Sequence, residues 1–334
     1  MARFPSLSRL GFTLLLLLAG PVQAQEESLV IYNAQHETLA QEWASAFTEE
    51  TGIPVILRQG ADLEVGNQIV QEGANSPADL FLTENSPAMV LVDSAGLFEP
   101  LPADVLEAVP PRYRPGNGHW VGIAARSTVF AYNAENLSQA DLPTTMAELA
   151  EPQWQGRWAA SPSGADFQAL VAAYLALEGE EATAQWLEGL KRNAVIVRGN
   201  RAALAAANNG EVEGALIYHY YWFGDRAGTG ENSDKTQLHY FGHQDPGAFV
   251  SLSGAGLLAS SKHKQSALEF LRFITGPKGQ AVLREGQSFE YTVGVDQPAN
   301  PALVPLAQLD APEIDPAQLD NRKVVALMIA ADLL

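Results

Sequence analysis

Short apolar segments alternate with segments of helical periodicity through most of this chain of 334 residues. The first apolar run is LVIYNAQ. It is followed by Leu39, Trp43 and Phe47, which recur every four residues as on one face of a helix, and then by a second run, IPVIL. A strand, a helix and a strand in this order predict a parallel sheet with a right-handed crossover. We therefore expect an α/β fold.

The same alternation continues in two regions of the chain. The predicted elements are helices over residues 63–72, 87–95, 167–178, 201–210 and 265–274, and strands over residues 78–83, 156–161, 194–199 and 214–217. Residues 120–133 and 247–259 are predicted to be long extended segments. We expect the chain to cross between two α/β lobes along these segments, with a ligand held where the carboxyl ends of the strands meet.

The amino terminus has the pattern of a secretory signal over residues 1–24. Arg3 and Arg9 supply the positive region, GFTLLLLLAG is a short apolar core, and Val22-Gln23-Ala24 ends in a suitable cleavage site. A retained membrane anchor is the alternative, but the apolar run is short for a span. We expect a soluble mature protein that begins near Gln25 and is exported to the periplasm or beyond.

Charge and cysteine content exclude several classes of function. The formal net charge of -19 argues against nucleic acids and anionic membrane surfaces as partners. The chain has no cysteine, so disulfides, thiolate metal sites and cysteine nucleophiles are excluded. Any metal must be held by oxygen and imidazole nitrogen, which suits hard cations.

Polar side chains follow the predicted strands at the ends where a ligand would bind. They are Asn33, Gln35, His36, Glu84, Ser163, Gly164, Ala165, Asn200, Tyr218, Tyr220 and Tyr221. Because the carboxyl ends of parallel strands meet at one edge of a sheet, we expect these residues to gather in one cleft. The turn formed by Ser163, Gly164 and Ala165 precedes a predicted helix and could offer backbone N–H groups to an anion. Capping of the helix by Ser163 is the plainer alternative.

The tyrosine pair is the most informative part of this set. On a strand Tyr220 and Tyr221 would point to opposite faces, whereas at the start of a helix they diverge by only about 100° and can reach one atom. Phenols lose their proton only to a strong positive field, such as that of a trivalent hard cation. With Glu84 as a third anion, two phenolates neutralise Fe³⁺, and His36 adds an imidazole. The alternative is that these aromatic residues are core side chains with satisfied hydroxyls.

Several stretches taken in order resemble the periplasmic ferric-ion-binding proteins, the substrate-binding components of bacterial iron(III) ABC transporters. They are YNAQHE, SPADLFLTENSPA, PSGA, YYW and HQDPGAFVSLSGAGLL. The resemblance spans nearly the whole mature chain. It implies a bilobal type II periplasmic-binding fold that captures Fe³⁺ and delivers it to an inner-membrane permease. It further implies a monomer without catalytic activity, located in the periplasm and not inserted in the membrane.

The resemblance also implies lobe boundaries and ligands. The amino-terminal lobe would comprise residues 25–126 and about 251–300, and the carboxyl-terminal lobe residues 127–250 and 301–334. The implied iron ligands are His36, Glu84, Tyr220 and Tyr221. The implied holders of a synergistic anion, phosphate or carbonate, are Ser163, Gly164, Ala165 and Asn200.

One departure concerns the residues before the tyrosine pair, where Tyr218-His219 replaces a pair of asparagines common in the family. Tyr218 could hydrogen-bond phosphate, supply a third phenolate or simply pack, and the site could use carbonate or an organic acid instead. Arg126, on a predicted crossing segment, could neutralise the anion or form a surface ion pair.

Two other functions are alternatives to iron capture. The same fold could bind a polyamine, thiamine, an oxyanion or an organic acid. A secreted metal-dependent hydrolase could use Ser163 as nucleophile and His219 as base, but the chain has neither a G-x-S-x-G nor an H-E-x-x-H motif.

Overall fold

The computed structural model describes residue 1 and residues 28–334. The predicted signal, residues 1–24, lies outside the described residues except for Met1.

The strands are β1 (Leu29–Asn33), β2 (Val55–Gln59), β3 (Leu80–Leu82), β4 (Val121–Asn133), β5 (Trp158–Ala160), β6 (Ala194–Ile196), β7 (Gly214–Tyr218), β8 (Thr236–His239) and β9 (Val250–Leu257). The helices are α1 (Glu37–Thr51), α2 (Asp62–Glu72), α3 (Ser86–Ser94), α4 (Ala103–Leu106), α5 (Ala165–Asn193), α6 (Asn200–Asn208), α7 (His219–Ala227), α8 (Lys264–Thr275), α9 (Pro277–Glu285) and α10 (Asn321–Ala330). None of the helices in residues 28–334 is both long and apolar enough to cross a lipid bilayer.

The strands form two parallel units joined by two long antiparallel strands. The order is β2-β1-β3-β9-β4-β7-β5-β6, with β8 also paired to β4. β1 is parallel to β2 and β3, and β5 is parallel to β6 and β7. β4 and β9 run antiparallel to each other and connect the two units. The predicted α/β fold with crossing strands is thereby confirmed.

Each unit is packed around its own set of large apolar side chains. In the first, Trp43 and Phe47 of α1 lie fully buried with Phe270 of α8. In the second, Trp158 of β5 and Trp186 of α5 are buried together. Burying an aromatic side chain of this size stabilises a fold by about 1.5–3 kcal/mol, so the periodic apolar positions seen in the sequence are the ones that hold each lobe together.

Glycines on β9 allow close packing at the junction of the lobes. A Cβ atom on Gly254 would lie 2.5 Å from Cγ of Met89, and one on Gly256 would lie 2.5 Å from Cε1 of Phe98. The small residues of this strand are therefore required by their neighbours, because α3 and the loop after it pack directly against its backbone.

Some elements differ from those predicted. Helix α5 does not end near residue 178 but continues to Asn193 after a kink at Gly179, whose φ of 82° is in the left-handed region that favours glycine. The strand predicted over residues 53–57 begins two residues later, at Val55. α9, α10 and β8 were not predicted at all.

Candidate metal centre

The first lobe supplies a histidine and a glutamate from the ends of neighbouring strands. His36 follows β1 and immediately precedes α1, and Glu84 lies between β3 and α3. Since β1 and β3 are paired in parallel, their carboxyl ends lie side by side. The Nε2 atom of His36 is 2.9 Å from Oε1 of Glu84, so the two predicted ligands of this lobe are in direct contact.

The second lobe supplies the tyrosines from the start of a helix, as their spacing suggested. Tyr218 ends β7, and Tyr220 and Tyr221 lie in the first turn of α7. Their ring centroids are 4.2 Å apart. Both hydroxyls donate to the same atom, Oδ2 of Asp166, at 3.2 and 3.0 Å respectively.

Tyr220 joins the two lobes. Its hydroxyl oxygen also lies 2.9 Å from Oε1 of Glu84, and its ring lies edge-on to His36 with centroids 4.9 Å apart. His36, Glu84, Tyr220 and Tyr221 therefore belong to one hydrogen-bonded cluster that includes residues of both lobes.

Asp166 is the member of this cluster that the sequence analysis missed. It lies in the first turn of α5, directly after the predicted anion-binding turn, and only 7% of its surface is exposed. The amide Nδ2 of Asn200 donates to its Oδ2 at 2.8 Å, and Nδ2 of Asn85 donates to its Oδ1 at 3.1 Å. Asn200 was predicted to hold an external anion, and in the structure it holds this carboxylate. The only signal in the sequence was the acidic residue that follows Ser-Gly-Ala.

The other residues of the predicted anion-binding turn are placed around the start of α5. Gly164 is the residue before the helix, and its N–H donates to the carbonyl of Ser161 at 3.1 Å. Ala165 begins the helix. Ser163 is exposed, and its carbonyl accepts from Nε2 of Gln168 at 3.4 Å.

Arg126 lies inside the protein and is fully buried. Its Nη2 is 2.5 Å from Oε2 of Glu290, and its Nη1 donates to the backbone carbonyl of Glu84. Nη1 is 3.9 Å from the carboxylate of Glu84. The guanidinium therefore joins the Glu84 turn to Glu290, and its burial rules out the surface ion pair suggested from the sequence. Its role toward an anion stays a prediction.

The hydroxyl of Tyr218 and the imidazole of His219 do not contact Oδ2 of Asp166, the oxygen that Tyr220 and Tyr221 share. The Tyr218 hydroxyl donates to the backbone carbonyl of Asp166 at 3.2 Å. The Nδ1 atom of His219 accepts from the N–H of Ser127 at 3.1 Å, and its ring stacks on Tyr291. His219 is thus committed to the crossing strand β4, and the described contacts do not pair it with Ser163 as a hydrolase dyad.

Burial sets the protonation of the cluster. Burial, followed by the charges of Asp166 and Glu84, raises the pKa of Tyr220 and Tyr221 well above that of a free phenol. Burial would lower the pKa of His36, but its hydrogen bonds to Glu290 and Glu84 outweigh this and raise the pKa to about 10. Without metal, both phenols and the imidazole therefore carry protons that bridge the oxygens.

A cavity of about 520 Å³ opens beside the cluster. Tyr220, Tyr221 and His36 line it together with Arg201 and Ser288. Within the described residues, no three histidine, aspartate or glutamate side chains are arranged to hold a metal by themselves. A metal at this position would therefore depend on the phenol oxygens.

A fold of two α/β lobes with a polar cluster between them defines a cleft-type solute-binding protein. The chain belongs to the bacterial extracellular solute-binding protein family, which matches residues 75–317. The Fe(3+)-binding periplasmic protein of Serratia marcescens is 57% identical over 97% of this chain and 96% of its own length. The major ferric iron-binding protein of Neisseria meningitidis is 35% identical over 92% of this chain and 94% of its own.

Solved structures agree with these relatives. Iron-bound HitA from Pseudomonas aeruginosa superimposes with a TM-score of 0.85 at 41% identity, covering 91% of this chain and 99% of that protein. The resemblance to ferric-ion-binding proteins and the bilobal type II periplasmic-binding fold are thereby confirmed.

The buried imidazole of His219 predicts a pH dependence of stability. Burial lowers its pKa from 6.5 to about 4, so between these values the unfolded chain binds a proton that the folded protein does not. Stability should therefore fall as the pH is lowered through this window, by at most ~3 kcal/mol from this residue. Urea unfolding of the metal-free protein at several pH values measures the effect. The His219→Gln variant should show a shallower slope, and an equal slope in both proteins would contradict the assignment.

Proposed function

We propose that this protein captures Fe³⁺ in the cleft between its lobes and delivers it to an ABC permease. The observation that carries the proposal is the convergence of His36 and Glu84 from one lobe with Tyr220, Tyr221 and Asp166 from the other. Oxygen and imidazole donors suit a hard cation. The iron-binding names of the relatives support the same ligand.

The protonation of the cluster explains why the cation should be trivalent. The protons on Tyr220, Tyr221 and His36 occupy positions between the oxygens and nitrogen that would bind metal. Metal binding must displace them, and phenols with a raised pKa release their protons only to a strong Lewis acid. Fe³⁺ meets this requirement, and acidification or reduction of the metal would favour its release.

The position of Asp166 suggests that its own carboxylate takes the place of an external synergistic anion. Its carboxylate lies at the start of α5 and accepts from both tyrosines and Asn200, where a synergistic phosphate or carbonate was expected. Burial and then the charge of Glu84 raise its pKa to about 6, so it is mostly ionised at pH 7. We infer that Asp166 serves as a built-in anion and completes the ligand set.

Ligands in both lobes give a reason for closure. Because the metal gains its last ligands only when the lobes approach, its binding free energy favours the closed state. We propose that an inner-membrane permease recognises that state, and that the protein acts as a periplasmic monomer without catalytic activity. The lobes are proposed to comprise residues 25–126 with about 251–300, and 127–250 with 301–334.

A visible absorption titration with ferric citrate tests the proposal. Purified, chelator-stripped protein should develop a phenolate-to-iron charge-transfer band that saturates at one equivalent. If folded protein shows no band, iron capture is wrong, and a polyamine, thiamine, an oxyanion or an organic acid becomes the ligand to test in the same cleft.

Replacing the histidine should cost less than replacing a tyrosine. In His36→Ala a water molecule or buffer anion can take the place of the neutral imidazole, so we expect iron affinity to fall between about ten- and a hundredfold, or ~1.4–2.8 kcal/mol. Competition with a chelator of known affinity measures this loss. His119→Ala, on the surface of the first lobe, is the matched control and should bind normally. A loss larger than that of the tyrosine variants would reverse the proposed order of the ligands.

A further inference from the structure

A second carboxylate contacts His36 from the side opposite Glu84. Glu290 is 254 residues away in the sequence and is fully buried. Its Oε1 accepts from Nδ1 of His36 at 3.0 Å. Glu290 follows α9 in a segment that is paired to β4 through reciprocal backbone hydrogen bonds between Tyr291 and Ala125. The carboxylate is thus carried by backbone that is fixed to a crossing strand.

The other oxygen of Glu290, Oε2, is also paired. It lies 2.5 Å from Nη2 of Arg126 and accepts from Oγ of Ser253 and from Nε2 of Gln35, each at 3.3 Å. Oε2 is paired with a guanidinium that is itself fully buried, and this pairing keeps Glu290 in its carboxylate form. With both oxygens already paired inside the protein, Glu290 is not placed to enter the metal shell itself.

These contacts determine which nitrogen of His36 is available. A neutral imidazole carries one N–H and one acceptor nitrogen, and a metal binds the acceptor. Because the carboxylate of Glu290 can only accept, it requires the proton on Nδ1 and leaves Nε2 free. Nε2 is the nitrogen that lies 2.9 Å from Glu84 in the cleft. A carboxylate paired with a metal-binding histidine in this way also fixes the orientation of the ring.

We propose that Glu290 is a positioning residue for iron capture, which holds His36 with Nε2 directed at the metal and the proton kept on Nδ1. This inference rests on the proposed function, since it assigns a role in the same site. Glu290 does not line the cleft cavity, and the proposed iron ligand that it contacts directly is His36.

The Glu290→Gln variant tests the role with little change of shape. Arg126 requires an acceptor, so the amide carbonyl should turn to Arg126 and the NH₂ group to His36. Nδ1 must then accept, which moves the proton to Nε2 and blocks metal binding there. We expect about tenfold weaker iron binding. In a His36→Ala background the same substitution should cause almost no further loss, because the residue through which it acts is absent.

A surface variant serves as the control for Glu290→Gln, and two results would contradict the positioning role. Glu213→Gln, which alters the ion pair with Arg157 on the surface, should leave iron affinity unchanged. If Glu290→Gln weakens binding by the same factor with and without His36, or not at all, the positioning role is wrong. If instead the wild-type protein shows no charge-transfer band, the proposed function has failed, and the two failures are therefore distinguishable.

A measurement on the wild-type protein keeps the test decisive if the variant does not fold. Ga³⁺ is a diamagnetic substitute for Fe³⁺, so ¹⁵N-labelled protein loaded with Ga³⁺ can be studied by NMR. We expect His36 to show a proton on Nδ1 that exchanges slowly with solvent and a metal-bound Nε2. A metal-bound Nδ1, or a proton on Nε2, would overturn the proposal.

Discussion

Tyr220→Phe and Tyr221→Phe should each lower the affinity for Fe³⁺ on the order of a thousandfold, or about 4 kcal/mol of binding free energy. Each substitution removes one phenolate from a buried site in which an anionic oxygen is the donor best suited to a trivalent cation. The charge-transfer band should weaken or shift in both variants. Chelator competition gives the affinity, and the band reports directly on the remaining phenolate.

Folding should be nearly unaffected by these two substitutions. Each removes hydrogen bonds from one hydroxyl, a net cost of about 1 kcal/mol in the metal-free protein. Tyr174→Phe is the matched control, because Tyr174 is a buried tyrosine of the second lobe that stacks on Trp186 and is not part of the cluster. It should leave both affinity and absorption unchanged. Unaltered iron affinity in both Tyr220→Phe and Tyr221→Phe would refute the assignment of the tyrosine pair.

Asp166→Ala should convert the site from one that needs no added anion to one that does. The substitution removes a carboxylate that accepts from Tyr220, Tyr221 and Asn200. It also leaves space at the start of α5, where backbone N–H groups can bind an anion. We expect iron affinity in anion-free buffer to fall about a hundredfold, or ~2.8 kcal/mol. Phosphate or carbonate should restore part of this loss.

The dependence of iron affinity on phosphate shows whether Asp166 or an external anion completes the site. Wild-type affinity should change little when phosphate is added to anion-free buffer. Asp104→Ala, which removes an exposed carboxylate paired with Arg272, controls for the change in net charge. If the wild-type protein needs phosphate as strongly as Asp166→Ala does, Asp166 is not the built-in anion and an external anion completes the site.

The residues that the sequence located correctly share one property. His36, Glu84, Tyr220 and Tyr221 each follow a strand whose apolar pattern is clear, so their position at the cleft followed from local periodicity and the rule for parallel sheets. The structure brings them together as predicted, and their role in binding iron remains a proposal.

Asp166 and Glu290 could not be found in this way, for different reasons. An acidic residue in the first turn of a helix is ordinary, because it complements the helix dipole, so Asp166 gave no distinct signal. Glu290 lies in a stretch in which Phe289, Tyr291 and Val293 alternate with polar residues, but the sequence does not show that this stretch pairs with β4, and that pairing brings Glu290 to His36. The surface ion pair suggested for Arg126 was wrong, since Arg126 is buried and its partner Glu290 lies in that same stretch.

The sequence by itself determined most of the order of strands and helices, the crossing segments and the strand ends at which polar residues gather, because these depend on contacts between near neighbours in the chain. Only the tertiary structure decided which of those polar groups are hydrogen-bonded to each other, which are buried and which nitrogen of His36 faces the cleft. These properties arise when residues from distant segments exclude water around one another. Burial and neighbouring charge then set each pKa, and neither can be read from a residue's own position in the chain.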